Sequence, residues 1–147
     1  MSVVARRYFE RGRTSLAAND YDGAIEALSS AVDLAPTFTA ARVALSAALA
    51  RFGDYPRAIQ VIRAGLTRPA TRGSQGLLWA TLGDLLAGSG DFPAAEEAYQ
   101  HCDMQPEYAG RAAAGRARVH AKLGRYPESF AELAKAAGVK PPAAPGD

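Results

Sequence analysis

The chain has 147 residues, of which 48% are hydrophobic and 22% are charged, and its formal net charge is +2 at pH 7. A chain of this length can bury one hydrophobic core without disulfides or metal ions to support it. The small charge excess selects neither nucleic acid nor membrane as a partner, and the single cysteine, Cys102, excludes an internal disulfide.

The sequence predicts neither export nor a membrane segment. Its start, MSVVARRYFERGR, lacks the apolar stretch and cleavage site of a secretory signal. The longest nearly uncharged run, residues 73–83, is too short to span a bilayer. We therefore expect a cytoplasmic protein that makes no membrane contact.

One turn motif recurs four times along the chain. It reads NDYDGAI at 19–25, GDYPRAI at 53–59, GDFPAAE at 90–96 and GRYPESF at 124–130, so its aromatic residues are 34, 37 and 34 positions apart. Glycine, and less readily asparagine, adopts the left-handed conformation that ends a helix, while proline is tolerated in the first turn of the next helix. Each copy therefore predicts the end of one helix and the start of another.

Apolar residues on both sides of each turn recur every three or four positions, as in Ile25, Leu28 and Val32. This spacing is typical of amphipathic helices and not of strands. The sequence therefore predicts an all-α chain of eight helices in four antiparallel pairs, and the period indicates a helical repeat array.

This pattern resembles the tetratricopeptide repeat over nearly the whole chain, at about residues 5–38, 39–72, 76–109 and 110–143. Repeat three carries the family signature best, as Trp79, Leu82, Gly83, Phe92, Ala95, Tyr99 and Pro106. Repeats two and four have Arg42 and Ala113 at the large-aromatic site. The resemblance implies an α-solenoid with a right-handed superhelical path, as one domain at 1–140. The proline-rich composition of residues 141–147 predicts a frayed tail. The extra residues near 69–73 predict a longer loop.

The same register places only small residues where paired helices cross closely. A bulky side chain at such a site would hold the two backbones apart. The three sites of each repeat, in chain order, are Gly12, Ala24, Ala31, Ser46, Ala58, Gly65, Gly83, Ala95, Cys102, Ala117, Ser129 and Ala136. We expect all of them to be buried, with Cys102 as a packing thiol.

No group of residues points to catalysis, a metal or a cofactor. His101, Cys102 and Asp103 are consecutive, and neighbours on a helix point in different directions, so they cannot close on one metal ion. His120 has no spacing that suggests a shared ligand, and GSGD at 88–91 is a helix-ending turn without the lysine of a phosphate loop. We expect a protein that is not an enzyme.

In the family that the chain resembles, the first helix of each repeat lines a concave groove. The resemblance implies the groove residues Arg6, Phe9, Arg13, Leu16, Ala40, Val43, Ala47, Arg51, Leu77, Ala80, Asp84, Ala87, Arg111, Ala114, Arg118 and Lys122. Basic residues, with Arg42 and Arg116 counted among them, are in excess on the first helices, and acidic residues on the second helices.

We therefore predict an adaptor that binds an acidic or amphipathic segment of another protein. An apolar anchor of that segment would lie over Val43, Ala47, Leu77 and Ala80, between two basic ends of the groove. Phe9, Arg13 and Ala47 stand where the chaperone-binding subclass of the family has a lysine and two asparagines, which disfavours a chaperone C-terminus as the partner.

Other functions are less favoured. No helix is expected after Gly138, so Phe130, Leu133, Ala134 and Ala137 form a C-terminal docking face, and self-association through it is a second hypothesis.

Binding of single-stranded nucleic acid would need stacking aromatics beside the arginines, and Phe9 alone fits. A small regulatory domain that senses a peptide or metabolite is a third alternative.

Overall fold

The computed structural model describes residues 2–103 and 105–138, and these residues form α-helices and connecting turns without any strand. The helices are α1 (Val3–Ala17), α2 (Tyr21–Leu34), α3 (Thr39–Phe52), α4 (Tyr55–Leu66), α5 (Arg72–Ser89), α6 (Phe92–Gln100), α7 (Pro106–Lys122) and α8 (Tyr126–Ala136). The predicted all-α class and the eight helices are thus confirmed. The tail expected to fray at 141–147 lies outside the described residues.

The repeated turn forms as its residues predict. Gly53, Gly90 and Gly124 have φ values of 98°, 90° and 75°, and Asn19 has a φ of 60° in the first copy. The aspartate that follows in three copies then caps the next helix, since its carboxylate accepts a backbone N–H three residues further on, at 3.0–3.3 Å. One motif therefore ends a helix, turns the chain and starts the next helix.

Helices pack in chain order, each against the next, and the first helices α1, α3, α5 and α7 also pack against one another. The second helices α2, α4, α6 and α8 make no such mutual contacts within residues 2–103 and 105–138. First helices that touch while second helices splay apart give a stack that is concave on the first-helix side. The first helices therefore form the inner layer.

The close-crossing sites explain how the pairs fit together. Eleven of the twelve predicted sites are buried, and Ala136 is half-buried. A Cβ added at Gly12 would clash with the Leu28 side chain, and one at Gly83 with the ring of Tyr99. Small residues at these sites are therefore required by the packing.

The predicted long loop near residues 69–73 is wrong. The chain leaves α4 after Leu66 and enters α5 at Arg72, because the Thr71 hydroxyl accepts the Ser74 N–H at 3.2 Å and caps the helix there. The extra residues lengthen α5 to 18 residues, compared with 14 in α3. The insertion is absorbed into the inner layer of helices.

Candidate peptide-binding groove

A depression of about 500 Å³ lies on the inner layer in the first half of the chain. We name it the N-terminal groove; it is lined by Phe9, Arg13, Leu16, Ala17, Ala40, Val43, Ala44, Ala47, Arg51 and Leu77. These residues come from α1, α3 and the first turns of α5. Among them are eight residues that the sequence predicts for the groove: Phe9, Arg13, Leu16, Ala40, Val43, Ala47, Arg51 and Leu77.

Phe9 builds the wall of the N-terminal groove and supports a charge. Its ring packs edge-on against Phe38, with 4.7 Å between the ring centroids. The guanidinium carbon of Arg13 lies 5.6 Å from the centroid of the Phe9 ring, within range of a cation–π contact. The aromatic pair therefore holds Arg13 at the rim of the groove.

Both arginines of the N-terminal groove keep donors free for a ligand. Arg13 approaches Glu10 of its own helix at 3.6 Å. Because both side chains are 61% exposed, this salt bridge contributes little to stability. Arg51, in the last turn of α3, forms no salt bridge with any residue that the structure describes. The groove thus joins an apolar floor to two available cations.

The second half of the inner layer has a smaller depression of about 260 Å³. We name it the C-terminal groove; it is lined by Asp84, Ala87, Gly88, Phe92, Tyr99, Arg118, Val119 and Lys122. The predicted groove residues Asp84, Arg118 and Lys122 meet here. Arg111 joins them through a salt bridge to Asp84 at 2.7 Å.

Asp84 is the centre of a hydrogen-bond network in the C-terminal groove. Its carboxylate accepts the Tyr99 hydroxyl at 2.6 Å and the Arg111 guanidinium at 2.7 Å, and Arg118 approaches it at 3.5 Å. Burial, followed by the hydrogen bond to Asp84 and its negative charge, raises the pKa of Tyr99. Arg111 is therefore already paired with an acid of the chain itself, whereas the exposed Arg118 is held only weakly.

Several residues that the sequence predicts for the groove, or counts with its basic side, line neither groove. Ala80 is fully buried in the core, where α5 packs on its neighbours, so it cannot contact the anchor of a partner. Arg42 and Arg116, counted with the basic groove side, are each only 5% exposed. Arg6 is exposed on α1 but lines neither groove.

The two buried arginines serve the packing of helices. Arg42 donates to the carbonyl oxygens of Pro36 at 2.9 Å and Val61 at 3.0 Å, where the family pattern has a large aromatic residue. Arg116 forms salt bridges to Asp103 at 2.9 Å and to Glu132 at 3.1 Å. The inner surface is consequently less basic than a count of the first helices predicts.

Cys102 is a buried packing thiol, as predicted. Its side chain is fully buried and lies 3.6 Å from the Gly76 carbonyl oxygen, to which the thiol donates. Burial, together with the nearby Asp103 carboxylate, raises the pKa of the thiol to about 11. The neighbouring His101 ring stacks on Trp79, with 3.8 Å between the ring centroids.

No group of three or more His, Cys, Asp and Glu side chains among the described residues could hold a metal ion. None of the described helices is long and apolar enough to cross a membrane.

Sequence reasoning missed the part that Tyr99 plays in the groove. Leu28, Ile62 and Tyr99 occupy one repeat position and are all fully buried, but only the third carries a hydroxyl. A Cβ at Gly115 would clash with the Tyr99 ring, so this glycine makes room for it. A polar residue at a core position, with an extra glycine nearby, is the signal in the sequence that could have indicated the network.

The predicted C-terminal docking face is exposed. Phe130 is 65% and Leu133 48% exposed, Ala137 is exposed, and Ala134 is half-buried. Tyr126, in the first turn of the same helix, is 61% exposed and extends this surface. What binds there stays a prediction.

The fold defines a helical repeat protein with an open, concave surface on its inner layer. Two family models, both described as tetratricopeptide repeat, match residues 15–73 and 80–147. The chain therefore belongs to the tetratricopeptide repeat family, whose domains are in general non-catalytic and typically act as protein–protein interaction modules.

Several solved structures share this fold. A thermophilic tetratricopeptide repeat protein from Thermus thermophilus aligns with a TM-score of 0.75 and 21% identity over 97% of this chain and 75% of that chain. MamA from Desulfovibrio magneticus RS-1 gives 0.73 and 15%, over 92% and 75%. The Sgt2 repeat domain from Aspergillus fumigatus gives 0.71 and 19%, over 99% and 90%. No curated protein matches the chain.

Proposed function

We propose that the chain is an adaptor that binds an acidic or amphipathic segment of another protein in its N-terminal groove. The observation that carries the proposal is the combination, in one depression of about 500 Å³, of an apolar floor with two arginines that lack a strong internal partner. Concave basic surfaces concentrate the field and attract acidic segments.

The floor of the N-terminal groove determines the anchor. Val43, Ala47 and Leu77 are half-buried, so each still offers apolar surface to a ligand. One leucine-sized side chain that covers them is removed from water, which contributes about 1.5–3 kcal/mol. Ala80, being fully buried, contributes nothing to this contact.

The rim of the groove determines what flanks the anchor. Arg13 stands at one side on α1 and Arg51 at the end of α3, and each can form charge-assisted hydrogen bonds with a carboxylate. In the C-terminal groove, Arg111 already forms a salt bridge with Asp84. We therefore assign the acidic contacts to the N-terminal groove.

A random peptide display library tests this function while the partner is still unidentified. The wild-type chain should enrich peptides in which an apolar residue has Asp or Glu within a few positions. The double variant Arg13→Glu/Arg51→Glu should lose that enrichment, with at least tenfold weaker binding of the selected peptides in fluorescence anisotropy.

The matched control is Arg57→Glu, which reverses an exposed charge on the outer helix α4, where Arg57 only approaches Asp54 at 3.9 Å. Circular dichroism melts establish that each variant is folded. Equal peptide binding by the wild type and the folded double variant would overturn the proposal. Tighter binding of single-stranded RNA than of any selected peptide would overturn it in favour of a nucleic-acid binder.

A further inference from the structure

One face of α8 is apolar and open to solvent. Tyr126, Phe130, Leu133 and Ala137 recur at the three- and four-residue spacing of a single helix face, and all four are exposed. We name these four residues the α8 face. It lies at the end of the stack away from the N-terminal groove, whose lining comes from α1, α3 and the start of α5.

At the position of Leu133, the α8 face matches a surface that the three earlier repeats bury. The position of Leu133 is held by Leu28, Ile62 and Tyr99 in the earlier repeats, and all three are fully buried there, whereas Leu133 is 48% exposed. In those repeats α2, α4 and α6 each pack against the first helix of the next repeat. The α8 face is therefore shaped to receive another helix.

The first helix of a second copy is not the matching surface. In α3 the buried face includes Ala41 and Leu45, at 0% and 4% exposure. The equivalent residues of α1, 34 positions earlier, are Arg7 and Arg11, which are exposed. Head-to-tail packing would desolvate two guanidinium groups against Phe130 and Leu133, which is costly without paired carboxylates.

The α8 face is complementary to itself. Its two bulky residues, Tyr126 and Phe130, lie in the first half of the helix, and its two smaller ones, Leu133 and Ala137, in the second half. In an antiparallel pair of α8 helices, Phe130 meets Leu133 of the second copy, and Tyr126 meets Ala137. Large side chains then oppose small ones at every level, which is the condition for close helix packing.

Charges do not oppose this pairing. The α8 face itself contains no ionisable side chain except the tyrosine hydroxyl. The helix's Glu132 is turned toward α7, where it pairs with Arg116 at 3.1 Å. We propose that two copies of the chain form a two-fold symmetric dimer in which their α8 helices pack antiparallel through the α8 face. A two-fold interface of this kind is closed, so assembly ends at the dimer and both N-terminal grooves stay open.

Light scattering coupled to size exclusion, over a concentration series of the full chain, tests the dimer. The wild type should have the mass of a dimer. Phe130→Glu and Leu133→Glu should each weaken dimerisation at least a hundredfold, because either substitution places one carboxylate from each copy, and so two charges, in the contact. Phe52→Glu is the matched control, because Phe52 is a 58% exposed aromatic residue at the end of α3 and should leave the mass unchanged.

Disulfide trapping tests the orientation independently of folding losses in the charged variants. Tyr126→Cys and Ala137→Cys chains, mixed at equal amounts and oxidised, should yield chiefly the mixed dimer, whereas a parallel pair would yield the two like dimers. A wild-type monomer at every concentration would overturn the proposal and leave the residues at 139–147 or a helix of another protein as the occupant. Like dimers in the trapping experiment would overturn the antiparallel arrangement.

Discussion

Repeat three differs from repeats one and two in what it places beneath the inner layer. In the first half, the central core position holds Leu28 and Ile62, which offer only apolar surface. In repeat three it holds Tyr99, whose hydroxyl donates to Asp84 at 2.6 Å. Tyr99 in the core thus holds Asp84 in the groove above it, and Asp84 in turn pairs closely with Arg111.

The buried arginines show the same difference. Arg42 is satisfied by two neutral backbone carbonyl oxygens, so its positive charge meets no acid there. Arg116 instead lies between Asp103 and Glu132 and so links α8 to the end of repeat three. Its Nη2 atom and the Oε2 of Glu132 are buried without a hydrogen-bond partner among the described residues. The second half is therefore held by polar contacts that are only partly satisfied.

The largest expected effect comes from the space that Tyr99 occupies. Gly83→Ala places a Cβ into the Tyr99 ring, which is fully buried and cannot move aside without disturbing the bond to Asp84. We expect a loss of about 3 kcal/mol in the free energy of unfolding, measured by urea denaturation.

Gly110→Ala is the control for this substitution. Its added Cβ would lie 3.6 Å from the Ala136 carbonyl oxygen, at an ordinary contact distance. In a helix interior, alanine is favoured over glycine by up to about 1 kcal/mol, so this variant should be slightly more stable than the wild type. Equal destabilisation by both substitutions would contradict the role given to the Tyr99 site.

The next effect concerns the contact that joins repeats three and four. Arg116→Met leaves the carboxylates of Asp103 and Glu132 without their cation, and we expect a loss of about 2 kcal/mol, because Asp103 is partly open to water. Arg125→Met removes an exposed pair with Glu96 at 3.1 Å and should cost less than about 0.5 kcal/mol. Equal losses in the two variants would show that the buried arrangement adds nothing.

The sequence predicted the repeats because their signals are local. A glycine or asparagine that needs a positive φ, a proline in a first helical turn and small residues at crossings each act within one helix pair. The start of α5 was missed because a loop was expected around its N-cap, Thr71. A single threonine cap of this kind is a weaker sequence signal for a helix start than the repeated glycine turn.

The groove was predicted less completely because it depends on side-chain direction. Arg42 and Arg13 both belong to first helices, yet one is buried against α4 and the other lies over Phe9 at the rim. Which arginines keep free donors depends on where Asp84, Asp103 and Glu132 lie in three dimensions. A count of the charges on each helix cannot distinguish these cases, because it does not show which charged side chains pair with one another.

Alkaline pH should weaken the second half of the molecule selectively. Folding raises the pKa of the Cys102 thiol from 9.0 to about 11 and also raises that of Tyr99. As the pH rises, the unfolded chain loses these protons while the folded chain keeps them. The contribution of the two groups to the free energy of unfolding is therefore fully present below about pH 9 and declines as the pH rises. Each group contributes a slope of up to about 1.4 kcal/mol per pH unit.

Urea denaturation at pH 8.0 and 10.5 measures this effect. Cys102→Ala and Tyr99→Phe should each be less sensitive to the pH change than the wild type, although Tyr99→Phe starts from a lower stability because it loses the bond to Asp84. Tyr55→Phe is the control, since this half-buried tyrosine belongs to the first half. An unchanged slope in both variants would show that other groups govern the alkaline loss.

The smallest expected effect tests directly why the two grooves differ. Asp84→Asn removes the charge that holds Arg111 and Arg118, so both cations become available to a ligand. An acidic peptide long enough to reach from the N-terminal groove should bind about fivefold more tightly, and this gain should disappear at high salt. Glu97→Gln, an exposed acid on α6, changes the net charge equally and is the control. If both variants gain alike, the overall charge and not the pairing at Asp84 limits the C-terminal groove. If only Asp84→Asn gains, the pairing of Asp84 with its arginines is what keeps that half of the inner layer from binding acidic peptides.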